Sequence, residues 1–232
     1  MNIRYFSMTL LGLAAAVVAP GAARADLVTY RPATAAAGAA SVQIDLPYTF
    51  GTHNFQVATL QGEVRADWKD APVVSGRLVV PLTSLRGGGD TMNCHMREAM
   101  GLDYTKSAFP GSHVCSSGQL PASGNDAVAF PEIVFEIKRV TINGARSRGA
   151  EGDTFPVVAS GRWTIHGVTR NDSIDLRLTV PPNEAAHPRS IRIEGARKVR
   201  LADYGIQVKR ALVITAGEEA TVKLDFRLKA QD

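Results

Sequence analysis

Apolar and polar residues alternate along most of this chain, and that period of two constrains its fold more than any other feature. Val42, Ile44, Leu46, Tyr48 and Phe50 share one parity, as do Leu60, Gly62, Val64, Ala66 and Trp68. The pattern returns in Leu78 to Leu82, Ile133/Phe135/Ile137, Trp163/Ile165, Ile174/Leu176/Leu178/Val180, Ile191/Ile193, Ile206/Val208, Leu212/Ile214 and Val222/Leu224/Phe226/Leu228. Successive side chains of a strand point to opposite faces, so each run reads as a strand with one buried and one wet face. Short strands joined by Gly, Asn and Pro turns favour a closed antiparallel barrel or a sandwich over a parallel α/β arrangement. Closure would also remove the free edges along which sheets aggregate.

One stretch breaks the alternation. After Gly87-Gly88-Gly89, Asp90 is placed to accept backbone N–H bonds as an N-cap. Thr91 to Met100 then runs free of Pro and Gly until Gly101 supplies a left-handed stop. A single short helix is expected here, with Met92, Met96 and Met100 stacked on one face at i, i+4 and i+8. Three flexible thioethers can plug a core, form a lid over a ligand cavity, or offer soft ligands to copper(I). The lid is the reading carried forward.

Met1 to Ala25 has the three parts of a secretory signal: a basic start at Arg4, an apolar run from Phe6 to Pro20 and a small-x-small site at Ala23-Arg24-Ala25. The run is shorter than the roughly 20 apolar residues that span a bilayer. The expected organisation is therefore a signal peptide (1–25), an N-terminal linker (26–40) and one β domain (41–232), with the mature protein in the periplasm. Loss of Arg4 and Arg24 takes 26 Lys and Arg to 24 against 22 Asp and Glu, a balance that leaves no basic footprint for nucleic acid. Arg146, Arg148, Arg189, Arg192, Arg197, Lys198 and Arg200 read as solvated loop charges.

The 2 cysteines, Cys94 and Cys115, are most simply a disulfide in an exported protein. It would staple the Leu102 to Asn125 excursion to the helix. Cys94-His95 and His113-x-Cys115 also offer two thiolates and two imidazoles, a tetrahedral zinc set in principle, but adjacent residues on a helix point apart. No metal or required cofactor is expected. Nor does the chain carry a nucleophile elbow, a His-Glu-x-x-His, a phosphate loop or a dinucleotide glycine pattern, so a non-enzyme is expected. His166 reads as a turn or rim residue before Gly167.

Several segments together resemble the YceI-like family of secreted, lipocalin-like lipid carriers. They are Gly161 to Arg170 feeding the Asp172 to Val180 strand, Phe130-Pro131-Glu132-Ile133-Val134-Phe135, His95 to Met100, Leu201 to Ile206 and the closing strand Glu219 to Ala230. The chain departs from the family pattern in its Ala33 to Ala40 opening, at Asn171-Asp172 where Pro is common, and in the Leu102 to Asn125 insertion. The resemblance implies an all-β fold: an antiparallel eight-stranded barrel whose mouth is capped by the short helix. It also implies a long apolar ligand inside, whether polyisoprenoid, isoprenoid quinone or fatty-acid-like. His53, near the first strands as in the family, and Phe55 are candidate contacts. Met92, Met96 and Met100 on the lid and Phe135, Ile137, Trp163 and Ile165 on the strands complete the expected ligand-binding set. A quinone-like ligand would bring a membrane redox protein as partner, and the chain is expected to be a monomer or dimer. Two rivals stand beside the carrier: a packed barrel serving as a stress-response or interaction protein, and an enzyme acting on a lipid-like substrate.

Overall fold

The computed structural model describes residues 27–33, 42–68, 73–87, 89–101, 128–182, 184, 188–207, 210–211 and 214–231. The expected signal peptide, the 102–125 insertion, Cys115 and His113 lie outside them, as do Val208 and Leu212.

Among the described residues, eight antiparallel strands close into a ring. In order around the ring they are β1 (Val28–Pro32), β4 (Gln61–Asp67), β5 (Val73–Pro81), β7 (Glu132–Ile142), β9 (Gly152–Ile165), β10 (Val168–Val180), β11 (Ser190–Arg200) and β14 (Glu219–Ala230). Pairing of β1 with β14 closes it, Tyr30 opposite Ala230 and Pro32 opposite Leu228. The eight-stranded barrel expected from the sequence is the fold. Its inward parity is the predicted one: Val64, Ala66, Phe135, Ile137, Val157, Ala159, Trp163, Ile165, Ile174, Leu178, Ile191, Ile193, Phe226 and Leu228 form one core.

Three further strands leave the ring. β2 (Val42–Tyr48) takes the same edge of β14 as β1 but further along, pairing Val42 with Leu224 and Asp45 with Thr221. β3 (Gly51–Val57) returns beside β2, and β6 (Leu85–Arg86) adds to β3. The edge of β14 is thus shared by two strands in tandem, which splits the wall at that seam. β8 (Ser147–Gly149) forms a hairpin with β9, and β12 (Arg210–Ala211) pairs with β13 (Ile214–Thr215) off the barrel.

Three expectations require correction. The 26–40 stretch is not wholly a linker, because it contains β1, the strand that seals the ring. Tyr30 is 0% exposed and its hydroxyl donates to the Pro188 carbonyl across the barrel end. The helix α1 (Gly89–Ala99) begins before Asp90, which places Asp90 within its first turn and not at the position ahead of it; Gly101, with φ of 84°, does provide the left-handed stop. The basic residues read as loop charges are largely built into structure. Arg192, Arg197, Lys198 and Arg200 belong to β11, which pairs with β14 as far as Arg200 opposite Glu219. Arg146 and Arg148 clamp the buried Asp153 carboxylate, and Arg192 meets Glu151, Glu194 and Asp225. Cross-strand partners on the neighbouring strand let charged residues continue a strand where composition alone suggested a loop.

Candidate functional site

The barrel has two unlike ends. At one, Tyr30, Val180 and Leu228 are fully buried and close the core. At the other, inward residues Leu78, Val80 and Ile133 remain half-buried, and a separate small cluster sits above them. Leu82, Met100 and Val128 form its centre, flanked by Met96, Phe130, Ile133 and Ile206.

That capped end is where the motif segments meet. The Phe130 ring lies 4.4 Å from the His166 ring. Gly167, at φ of 73°, occupies a position where a Cβ would come within 2.5 Å of Phe130, so the β9–β10 turn tolerates no side chain there. His166 sits at the turn, as read from the sequence, with φ of 51° and Nδ1 3.0 Å from the Tyr204 carbonyl oxygen. A 3-10 turn at Leu201–Tyr204 carries Tyr204 into the core, and Ile206 packs against the cap. Segments far apart in sequence therefore build one end of one barrel.

The wall beneath the cap is aromatic with a polar seam. Trp163 stacks on Phe135, centroids 4.2 Å apart and planes at 15°. Gly161 makes this possible, since a Cβ there would stand 2.9 Å from the Phe135 ring and 2.0 Å from the Glu136 carbonyl oxygen. The Arg197 guanidinium lies 5.8 Å from the Trp163 ring centroid and pairs with Asp172 while donating to the Ser173 carbonyl. Burial pushes the Asp172 carboxyl up, but Arg197 and the Ser173 N–H outweigh it and hold the group below its ordinary range. Burial raises the Tyr204 phenol. The Trp163 Nε1–H is buried without an acceptor among the described residues.

Phe55, Phe135, Ile137, Trp163 and Ile165 all lie in the main core. Met92 packs against that core, Met96 touches both clusters and Met100 lies in the cap, so the thioether stripe faces inward. His53 stands apart. It is on β3, outside the ring, stacked on Tyr48 at 4.0 Å, and burial lowers its pKa. The Cys94 side chain and Cys115 lie outside the described residues. Sequence reasoning missed Arg197 and Asp172, although the signal was present. Arg197 is in phase with Ile191, Ile193 and Val199, and Asp172 with Ile174 and Leu178. It also missed Arg97, which adjoins the methionine stripe.

An open groove lined by Glu63, Arg65, Arg77, Glu136 and Arg162 lies on the outer wall. Its charges pair across strands, as in Arg162 with Glu136 and Arg31 with Glu63, which suits a solvated face and not an apolar ligand.

Residues 123–230 match the model of the YceI-like domain. The structure resembles a polyisoprenoid binding domain from Saccharophagus degradans implicated in plant cell wall breakdown, with a TM-score of 0.53 and 15% identity over 89% of this chain and 100% of that one. It also resembles the YCEI protein of Campylobacter jejuni, with a TM-score of 0.51 and 11% identity over 77% of this chain and 84% of that one. At such identities the likeness is one of fold. No curated protein matches the chain.

Proposed function

Starting from a YceI-like domain at residues 123–230, we propose that this chain is a binding protein, not an enzyme, and that it carries a long apolar molecule in the lumen of its barrel. One observation carries the reading: the barrel is sealed at its Tyr30 end and, at the other, roofed by a methionine-bearing helix over half-buried apolar side chains. A small barrel has room either to fill with side chains or to hold one slender ligand. The asymmetry of the two ends favours the second, with entry past α1. The similar Saccharophagus degradans protein is a polyisoprenoid binding domain, which supports a polyisoprenoid, isoprenoid quinone or fatty-acid-like chain here. Affinity would come from apolar burial at about 25 cal/mol per Å², with a few polar groups fixing the head.

The Met1 to Ala25 signal pattern supports cleavage and periplasmic residence; the chain acts there as a monomer or dimer, with a membrane redox protein as partner if the cargo is a quinone. The test of the carrier is whether protein purified from its own compartment holds an extractable apolar molecule.

In that oxidising setting Cys94 and Cys115 form a disulfide that ties the helix to the segment after it. On the chain-entropy model it stabilises by about 3 kcal/mol. Labelling of the exported protein without reductant is expected to find no reactive thiol; two titrating thiols would remove the staple.

A further inference from the structure

Helix α1 buries a charge that no described residue neutralises. Arg97 is 3% exposed, and its Nε and Nη1 have no hydrogen-bond partner among the described residues. An arginine stays protonated at any physiological pH, and a buried, unpaired cation is costly enough that native structures rarely keep one. The other half-buried arginines are matched: Arg192 meets three carboxylates, and Arg197 meets Asp172. No described carboxylate pairs with Arg97, and the neighbouring Glu98 pairs with His95. The charge acting on it is that of Arg86, of the same sign, and burial together with Arg86 lowers its pKa. Arg86 spends a donor on the adjacent Leu85 carbonyl.

The location is specific. One helical turn earlier Asn93 is also buried, its Oδ1 accepting the Gly87 N–H at 2.8 Å. This edge of α1 therefore faces the end of β6, while the Met92/Met96/Met100 stripe beside it faces the core. Arg97 and Met100 are three residues apart and so neighbours on the helix surface, which sets two donors and a positive charge beside the thioether stripe.

We propose that Arg97 is an anion seat, with Arg86 reinforcing it, for the carboxylate or phosphate head of the apolar molecule in the barrel. This rests on the carrier reading and narrows it to amphiphiles with an acidic head. The Arg197–Asp172 pair, already neutral, does not compete for that head.

Isothermal titration of delipidated full chain with dodecyl phosphate, dodecanol and inorganic phosphate tests it. Dodecyl phosphate is expected to bind about tenfold or more tightly than dodecanol, the scale of one charge-assisted hydrogen-bonded contact. In Arg97→Gln that ratio is expected to fall to about 1, and in Arg97→Lys to be partly restored, with circular dichroism confirming that both variants fold. A wild-type ratio near 1, which needs no variant, overturns the proposal, as does a ratio undiminished in Arg97→Gln. Inorganic phosphate binding as tightly as dodecyl phosphate would uncouple the seat from the lumen and overturn it too. If dodecanol binds and only the ratio fails, the carrier survives without the seat. If neither amphiphile binds, the carrier reading itself falls.

Discussion

Met96→Glu is expected to strip the barrel of its apolar cargo while leaving most of the sheet signal in circular dichroism intact. Met96 is the α1 residue that touches both the main core and the cap cluster, so a carboxylate there must either be buried without a partner or push the helix away. Burying an uncompensated charge in apolar surroundings costs several kcal/mol, enough to favour an open lid over a closed one. The ring strands are paired with one another independently of α1, which is why the sheet should persist. Melting temperature and co-purified lipid have to be measured on the same variant. A lowered melting point with unchanged lipid would mean that the helix plugs the core and does not gate it.

Tyr30→Ala is expected to destabilise the fold by about 3–5 kcal/mol, the range for truncating a fully buried aromatic side chain. Tyr30 sits in the strand that closes the ring, between Val64 on β4 and Ala230 on β14, and its hydroxyl ties that end to Pro188. Tyr30→Phe keeps the ring and loses only the hydrogen bond, so about 1 kcal/mol is expected. Urea unfolding of the two variants separates packing from hydrogen bonding. If β1 detaches in Tyr30→Ala, the edges of β4 and β14 are left unpaired, and a concentration-dependent rise in molecular mass should follow. A loss below about 1 kcal/mol for Tyr30→Ala would show that the ring does not depend on this closure.

The contrast between these two residues shows what the sequence made legible. Met96 could be found because helical spacing and the Gly101 stop are local signals, and both survive into the structure. Tyr30 could not, because β1 has only five residues, ends in Pro32 and is followed by alanine-rich chain; what makes it a strand is pairing with β4 and β14, tens to nearly two hundred residues away. The parity of β9, β10 and β14 was readable from alternation alone, and with it the inward placement of Trp163 and Ile165. The same parity places Arg197 and Asp172 inside, but a charge reads as solvent-facing unless its partner on the next strand is known. Arg97 lay beside a stripe already picked out, and burial of so strong a cation is invisible until the helix has a wall to pack against. His53 shows a different limit: its place near the first strands made it a candidate ligand contact, but nothing in the sequence indicates that β3 leaves the ring and stacks that imidazole on Tyr48.

The central claim is that the lumen holds an apolar molecule, and native mass spectrometry of the protein purified from the cells that make it, followed by organic extraction, tests it most directly. The account predicts one lipid-sized adduct per chain, released on denaturation and recovered in the organic phase as a long-chain amphiphile. A mass equal to that of the bare chain, with no extractable lipid and no uptake of added long-chain amphiphile, would contradict it and leave a packed barrel with a different role.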